Sequence, residues 1–309
     1  MLKLISKLQY FVIALLIAGV FTSCSKDDEP MADSKNIVQT AVSDPQFSIL
    51  VSALQKANLA TALEGTGPFT VFAPTNAAFS ALFTQLGVSG INDLSAEILT
   101  PILLNHVVSG SVKSSDIATG YVNTLNNSGP AQNFIKVYIQ KTSSVKVDES
   151  NVTTADIMAS NGVIHVIDKV IIPASVVNHA INNAGFSTLV QAVLKANLAT
   201  ALSATGPFTV FAPTNEAFAK LFTALGVSGI ADLTAEQLTP ILLYHVVSGN
   251  VTASQVMTGS VPTLKSGSNI AVVVSGANVK LNGNSNVIAT DVQGTNGVIH
   301  AIDTVLLPS

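Results

Sequence analysis

Apolar positions along the chain alternate between two rhythms, and the alternation happens twice. Phe47, Leu50, Val51 and Leu54 recur at helical spacing and predict one buried helix face. A short β-rich run follows at Pro68–Phe72, and Pro74-Thr-Asn ends it. Thr75 is placed to cap a second helix that buries Phe79, Leu82 and Phe83. Leu94–Leu104 reads as a further helix with its proline in the first turn. Beyond it the period falls to two: Ile135, Val137 and Ile139, then Val145 and Val147. The last segment, Gly162-Val-Ile-His-Val-Ile167, is apolar on both faces and predicts a buried central strand.

The same order returns downstream. TGPFTVFAPTN stands at Thr66–Asn76 and again at Thr205–Asn215, and KANLATAL at Lys56–Leu63 and Lys195–Leu202, both 139 residues apart. NGVIHVID at Asn161–Asp168 returns as NGVIHAID at Asn296–Asp303, with a spacing of 135. The second copy has therefore lost a net four residues, expected in the loop NNSGPAQN of the first copy. A period near 139 is the size of a domain, not of a solenoid repeat. The expected organisation is a segment 1–23, a tether 24–35, and domains at 36–173 and 174–309. The junction IIPASVVNHAI has almost no spacer, which predicts limited freedom between the domains. The second copy adds a capping box, Thr234-Ala-Glu-Gln237.

TGPFTVFAPTNAAF, NGVIHVIDKVIIP and the Tyr244-His245 pair between them in copy two resemble the signature boxes of the fasciclin-type domain. The resemblance implies an α+β fold: two tandem domains, each a mostly β wedge of about seven strands with several helices. It also implies a secreted or surface protein used for adhesion. The threonine, the Gly-Pro turn, the buried strand and the Pro-Thr cap of TGPFTVFAPTN each have a structural role, so the phrase is read as architecture.

Composition narrows the function. Charged residues make up 10% of the chain and hydrophobic residues 48%, with a net charge of −4, or −6 once Lys3 and Lys7 are removed. No basic stretch points to nucleic acid. Lys3 and Lys7, the apolar run Phe11–Phe21 and Cys24, the only cysteine, resemble a bacterial lipoprotein signal with Cys24 as the lipidated residue. Ser25–Pro30 resembles the acidic signal for export to the outer face of the outer membrane. The expected protein is an outer-membrane lipoprotein exposed on the cell surface, with the periplasmic face as alternative.

Candidate partner-binding residues follow from the resemblance. The tyrosine–histidine motif falls on Tyr244 and His245; copy one carries Asn105 and His106. Thr154-Ala-Asp156-Ile157-Met resembles an integrin motif of animal fasciclin domains, with turn residues as the simpler reading. His106 and His245, among aliphatics, are expected to be neutral core residues donating to a backbone carbonyl. His165 and His300 are expected to be buried and structural, and His179 to lie on the surface. Asn126, Asn151 and Asn250 fit glycosylation sequons by chance. No HExxH, CxxC, phosphate loop or nucleophile elbow occurs, and no acidic cluster has calcium-loop spacing. The expectation is no catalysis, no cofactor and no metal. The partner is then a matrix or cell-surface protein or a polysaccharide, with the membrane reached through the lipid. Two alternatives stand beside adhesion: a carrier of a small apolar ligand, and a glycan-binding module, for which the absence of tryptophan is a difficulty.

Overall fold

The computed structural model describes residues 34–308; the lipoprotein-like segment, Cys24 and the tether up to residue 33 lie outside the described residues. Residues 35–309 form one compact unit.

In the first domain, α1 (Ile37–Val42), α2 (Ser48–Lys56) and α3 (Ala60–Glu64) precede β1 (Phe69–Pro74). Next come α4 (Asn76–Leu86), α5 (Ala96–Leu104), β2 (Val107–Ser109) and β3 (Gly120–Asn123). The chain closes through β4 (Lys136–Lys141), β5 (Val145–Val147), β6 (Ser150–Ala159) and β7 (Gly162–Ile167). These seven strands form one sheet in the order β2-β1-β7-β6-β5-β4-β3.

The second domain repeats the plan. It runs through α6 (Val176–Asn182), α7 (Ser187–Lys195), α8 (Ala199–Leu202), β8 (Phe208–Pro213), α9 (Asn215–Leu225) and α10 (Ala235–Tyr244). β9 (Val246–Ser248), β10 (Gly259–Pro262), β11 (Asn269–Ser275), β12 (Asn278–Leu281), β13 (Ser285–Gly294) and β14 (Gly297–Ile302) complete it. The order β10-β11-β12-β13-β14-β8-β9 mirrors the first sheet.

The duplicated phrases lock into each other. β1 and β7 pair in parallel from Phe69↔Gly162 to Pro74↔Ile167, so the strand of the first box lies beside that of the last. Every residue of β7 is buried, as a strand covered on both faces requires. Thr70 Oγ1 donates to the Gly110 carbonyl (2.6 Å) and accepts from Val112 N–H (2.9 Å). Thr75 caps α4 through the N–H of Ala78 (3.3 Å). Asn76 clamps the start of α2, donating to Pro45 O (2.9 Å) and accepting from Ile49 N–H (3.0 Å). Gly162 has φ +156°, and a Cβ there would overlap the Phe69 carbonyl. Thr209, Thr214 and Asn215 repeat these bonds in copy two. The phrase written twice is architecture.

Three expectations change. Pro101 is the sixth residue of α5, inside the helix and not in its first turn, because the helix already begins at Ala96. The Thr154–Met158 segment is not a turn: it lies within β6, where register shifts around Thr154 accommodate Asp156 at φ +63°. The length difference is also not a single deletion. Equivalent positions Leu125 and Leu264, which donate to Val107 O and Val246 O, are 139 apart. Ile139 and Val272, facing Val147 and Leu281, are 133 apart, and Ser150 and Ser285 are 135 apart. Copy two thus loses six residues in the loop and regains two in the β-turns.

Candidate functional site

The histidines are held as parts of the backbone network. His106 Nδ1 donates to Ile102 O (2.7 Å), and its Nε2 accepts from Ile171 N–H (2.9 Å). His245 does the same with Ile241 O (2.8 Å) and Leu306 N–H (2.9 Å). Each ring thereby ties a helix end to the segment after the last strand. Burial lowers both pKa values to about 4, against the helix carbonyl that favours the charged form. His165 and His300 are the opposite tautomer. Their Nε2 atoms donate to Val112 O (2.9 Å) and Val251 O (2.8 Å), and their Nδ1 atoms receive the N–H of Asp156 (3.3 Å) and Asp291 (3.4 Å). Burial lowers the His300 pKa. These four rings bond to backbone, as their aliphatic setting suggests.

Tyr244, His245, Asn105 and His106 are each at most 3% exposed, so none of the four offers a surface to a partner. The Tyr244 hydroxyl donates to Asn269 O (2.8 Å) and accepts from Asn282 Nδ2 (2.9 Å), bracing α10 against β11 and the β12–β13 turn. Asn105 replaces the tyrosine in copy one, and its Nδ2 has no partner. Asp156 is exposed, with its carboxylate receiving the Ser114 N–H (2.7 Å) and hydroxyl (2.5 Å). The Ser114 hydroxyl and then its N–H lower the Asp156 pKa. Ile157 beside it is half-buried. The structure does not bring these two near the tyrosine–histidine position through any hydrogen bond.

Sequence reasoning missed the junction. His179 is fully buried rather than on the surface, because the two domains close over it. Its Nε2 donates to Gln293 O (3.0 Å), and the Tyr121 ring stands edge-on to it at 5.6 Å. Tyr121 reaches across from β3, donating its hydroxyl to His179 O (3.2 Å) and accepting from Asn183 Nδ2 (3.2 Å). It packs on the core of the second domain. The Tyr138 ring packs against it, tilted, at 4.9 Å. Burial lowers the His179 pKa to about 4 and raises that of Tyr121. The signal was present in the sequence as a difference between copies: Tyr121 and Tyr138 correspond to Ser260 and Ala271.

Two recesses border α6. One, of about 350 Å³, lies at the junction between α4, the β5–β6 turn, the linker and α6. The other, of about 80 Å³, lies between α6, α7 and the sheet of the second domain and is lined almost wholly by apolar side chains. Among the described residues, no group of three or more His, Cys, Asp or Glu is placed to hold a metal ion.

These features define a tandem of two like domains whose repeated boxes serve the fold. The fasciclin domain model matches residues 45–173 and 184–308, and the chain belongs to that family. It is 48% identical over 134 residues to protein sll1483 of Synechocystis sp., covering 43% of this chain and 73% of that protein. It is 33% identical over 252 residues to pig transforming growth factor-beta-induced protein ig-h3, covering 80% of this chain and 35% of the relative. This chain therefore spans about a third of ig-h3. Among solved structures, a FAS1 domain pair from the insect cell adhesion molecule fasciclin I aligns with a TM-score of 0.49 and 20% identity, over 87% of this chain and 95% of that one.

Proposed function

We propose that this protein is a non-catalytic adhesion or matrix-interaction module, anchored at the cell surface through a lipid on Cys24. The observation that carries the reading is the state of the histidines. The four in the repeated boxes and helix ends are sealed in the fold and bonded on both ring nitrogens to backbone, so they are occupied as structural parts. Family membership supports a role in recognition. Two domains in one compact unit present two surfaces on one tether, and weak contacts at both add through effective concentration.

The test is binding of the immobilised tandem to matrix proteins, polysaccharides and the producing cells, with charge-matched unrelated protein as control. Saturable binding supports the module; none across the panel, with the protein folded, refutes it.

The apolar recess favours a second reading, a carrier of a small apolar ligand. In the first domain the same place holds only about 20 Å³. There Ile37 and Leu54 stand where the second domain has the smaller Val176 and Val193. At its mouth Ile181 and Leu194 are exposed. Val193→Leu restores the first domain's residue and is expected to abolish uptake of a fluorescent fatty acid while leaving the fold intact. Equal uptake by both proteins refutes this site.

A further inference from the structure

Asp148 occupies the turn between β5 and β6 and carries a carboxyl where the second copy has the amide of Asn282. Its main chain and side chain both grip β4: its N–H donates to Tyr138 O (2.8 Å), and Oδ1 accepts from Tyr138 N–H (2.9 Å). Asn282 makes the same pair with Ala271, at 2.8 and 2.9 Å, and then donates Nδ2 to the Tyr244 hydroxyl. Asp148 has no such third bond, because Asn105 replaces the tyrosine. Its Oδ2 is buried without a partner, and the residue is 8% exposed. A buried carboxylate oxygen in that state opposes ionisation.

Nothing around it offers a counter-charge. Tyr138 and Tyr121 flank it from β4 and β3, and the Tyr121 hydroxyl already serves His179 and Asn183. From the second domain it is faced by Asn182, the last residue of α6, an uncharged amide whose side chain favours the ionised form but brings no counter-charge. His179 on that helix is neutral at neutral pH. Glu149, next in the turn, repels it, and Lys169 is taken up in an exposed pair with Glu149 at 3.8 Å. Lys136 acts on Asp291 and His179 instead. Gln85 of α4, across the recess, is uncharged.

We propose that Asp148 is a proton-operated latch between the domains: with the carboxyl protonated they close on each other, and its ionisation loosens the junction. Burial, with Glu149 adding to it, raises its pKa to about 7, against the Tyr138 and Asn182 contacts that lower it. The switch therefore works near neutrality. A folded-state value above the open-state one means that the closed junction holds an extra proton, so closure weakens as pH rises. For one proton, the opening constant rises by up to about tenfold per pH unit from about pH 5 to 7 and levels off above about pH 8.

Residues 35–309 contain every described element and all four hydrophobic cores. On that protein, amide hydrogen exchange of α6 and of Tyr138 is followed from pH 5 to 9, corrected for intrinsic exchange, beside Asp148→Asn. The amide mimics Asn282 and cannot ionise. The expected result is a wild-type opening constant that climbs to a plateau near pH 8 and a D148N constant that is flat and low. A flat wild-type profile overturns the proposal without reference to the variant. So does a D148N profile that still climbs, which assigns the proton elsewhere, or a D148N protein that fails to fold, which makes the charge a requirement.

Discussion

Asn161→Ala tests the claim that the NGVIH box is a structural clasp. The Asn161 side chain joins three separate elements. Its Oδ1 accepts from the Ile37 N–H at the start of α1 (2.9 Å), and its Nδ2 donates to Leu63 O (2.8 Å) and Gly65 O (2.8 Å) at the end of α3. Ile37 and Leu63 are buried, whereas Gly65 is exposed. Truncation thus leaves two polar groups that water reaches poorly and one that it re-solvates. At about 1–1.5 kcal/mol for each buried group and about 0.5 for the third, the expected loss is ~3 kcal/mol. Asn296 repeats the arrangement with Val176 N–H (3.0 Å), Leu202 O (2.9 Å) and Ala204 O (2.8 Å), so Asn296→Ala should cost the second domain as much. Equilibrium urea unfolding of the single variants measures both. Asn161→Asp supplies the control: it keeps the acceptor for Ile37 but sets an oxygen against two carbonyls, and should be no better than alanine. A loss below about 1 kcal/mol for Asn161→Ala, or an aspartate that restores stability, refutes the clasp.

Two further outcomes follow from burial. Tyr244→Phe removes a hydroxyl that bonds Asn269 O and Asn282, and should cost ~1–2 kcal/mol in urea unfolding. With its ring 3% exposed, the variant should keep wild-type partner binding well below its unfolding temperature, and lost binding by a folded variant contradicts this placement. Acid should unfold the protein: His106, His179 and His245 have folded pKa values of about 4 against an ordinary 6.5. The unfolded chain binds more protons in that window. The contribution of these three rings is therefore complete above about pH 6.5 and falls toward pH 4 by up to about 1.4 kcal/mol per unit for each ring. A thermal midpoint unchanged between pH 7 and 4.5 refutes it.

Most of what was legible in the sequence was local. Thr75 caps α4 and the Thr234–Gln237 box caps α10 because a cap is decided within one turn of helix. β7 reads as buried because its own six residues are apolar. The neutral histidines were legible from their aliphatic neighbours. What escaped depended on chain far away. His179 sits on the short helix α6, and its ring lies between Gln293 of β13 and the ring of Tyr121, 58 residues earlier. Asp156 resembles a turn residue because its positive φ is a turn-like conformation, but β7 pairs on either side of it and makes it a bulge. No window of sequence shows Asp148 buried, since burial there comes from α6 of the other domain.

The differences between the copies gather on one face. Asn105 for Tyr244, Asp148 for Asn282 and Tyr121 for Ser260 are three changes, and the loop that is six residues longer in copy one makes a fourth. Tyr121 bonds α6, Asp148 faces Asn182, and a Cβ on Gly129 in that loop would meet Gln293 of β13. In the first domain this face is an interior surface of the tandem; in the second, Ser260 and Ala271 on the same face are exposed. Asn105 is therefore best understood with its surroundings. A tyrosine there would bring its hydroxyl to Asp148 as Tyr244 does to Asn282 and donate to the carboxylate. With asparagine, Asp148 keeps an unpartnered oxygen, and the junction keeps a group that responds to protons. The pair without the tyrosine belongs to the domain that carries another on its flank.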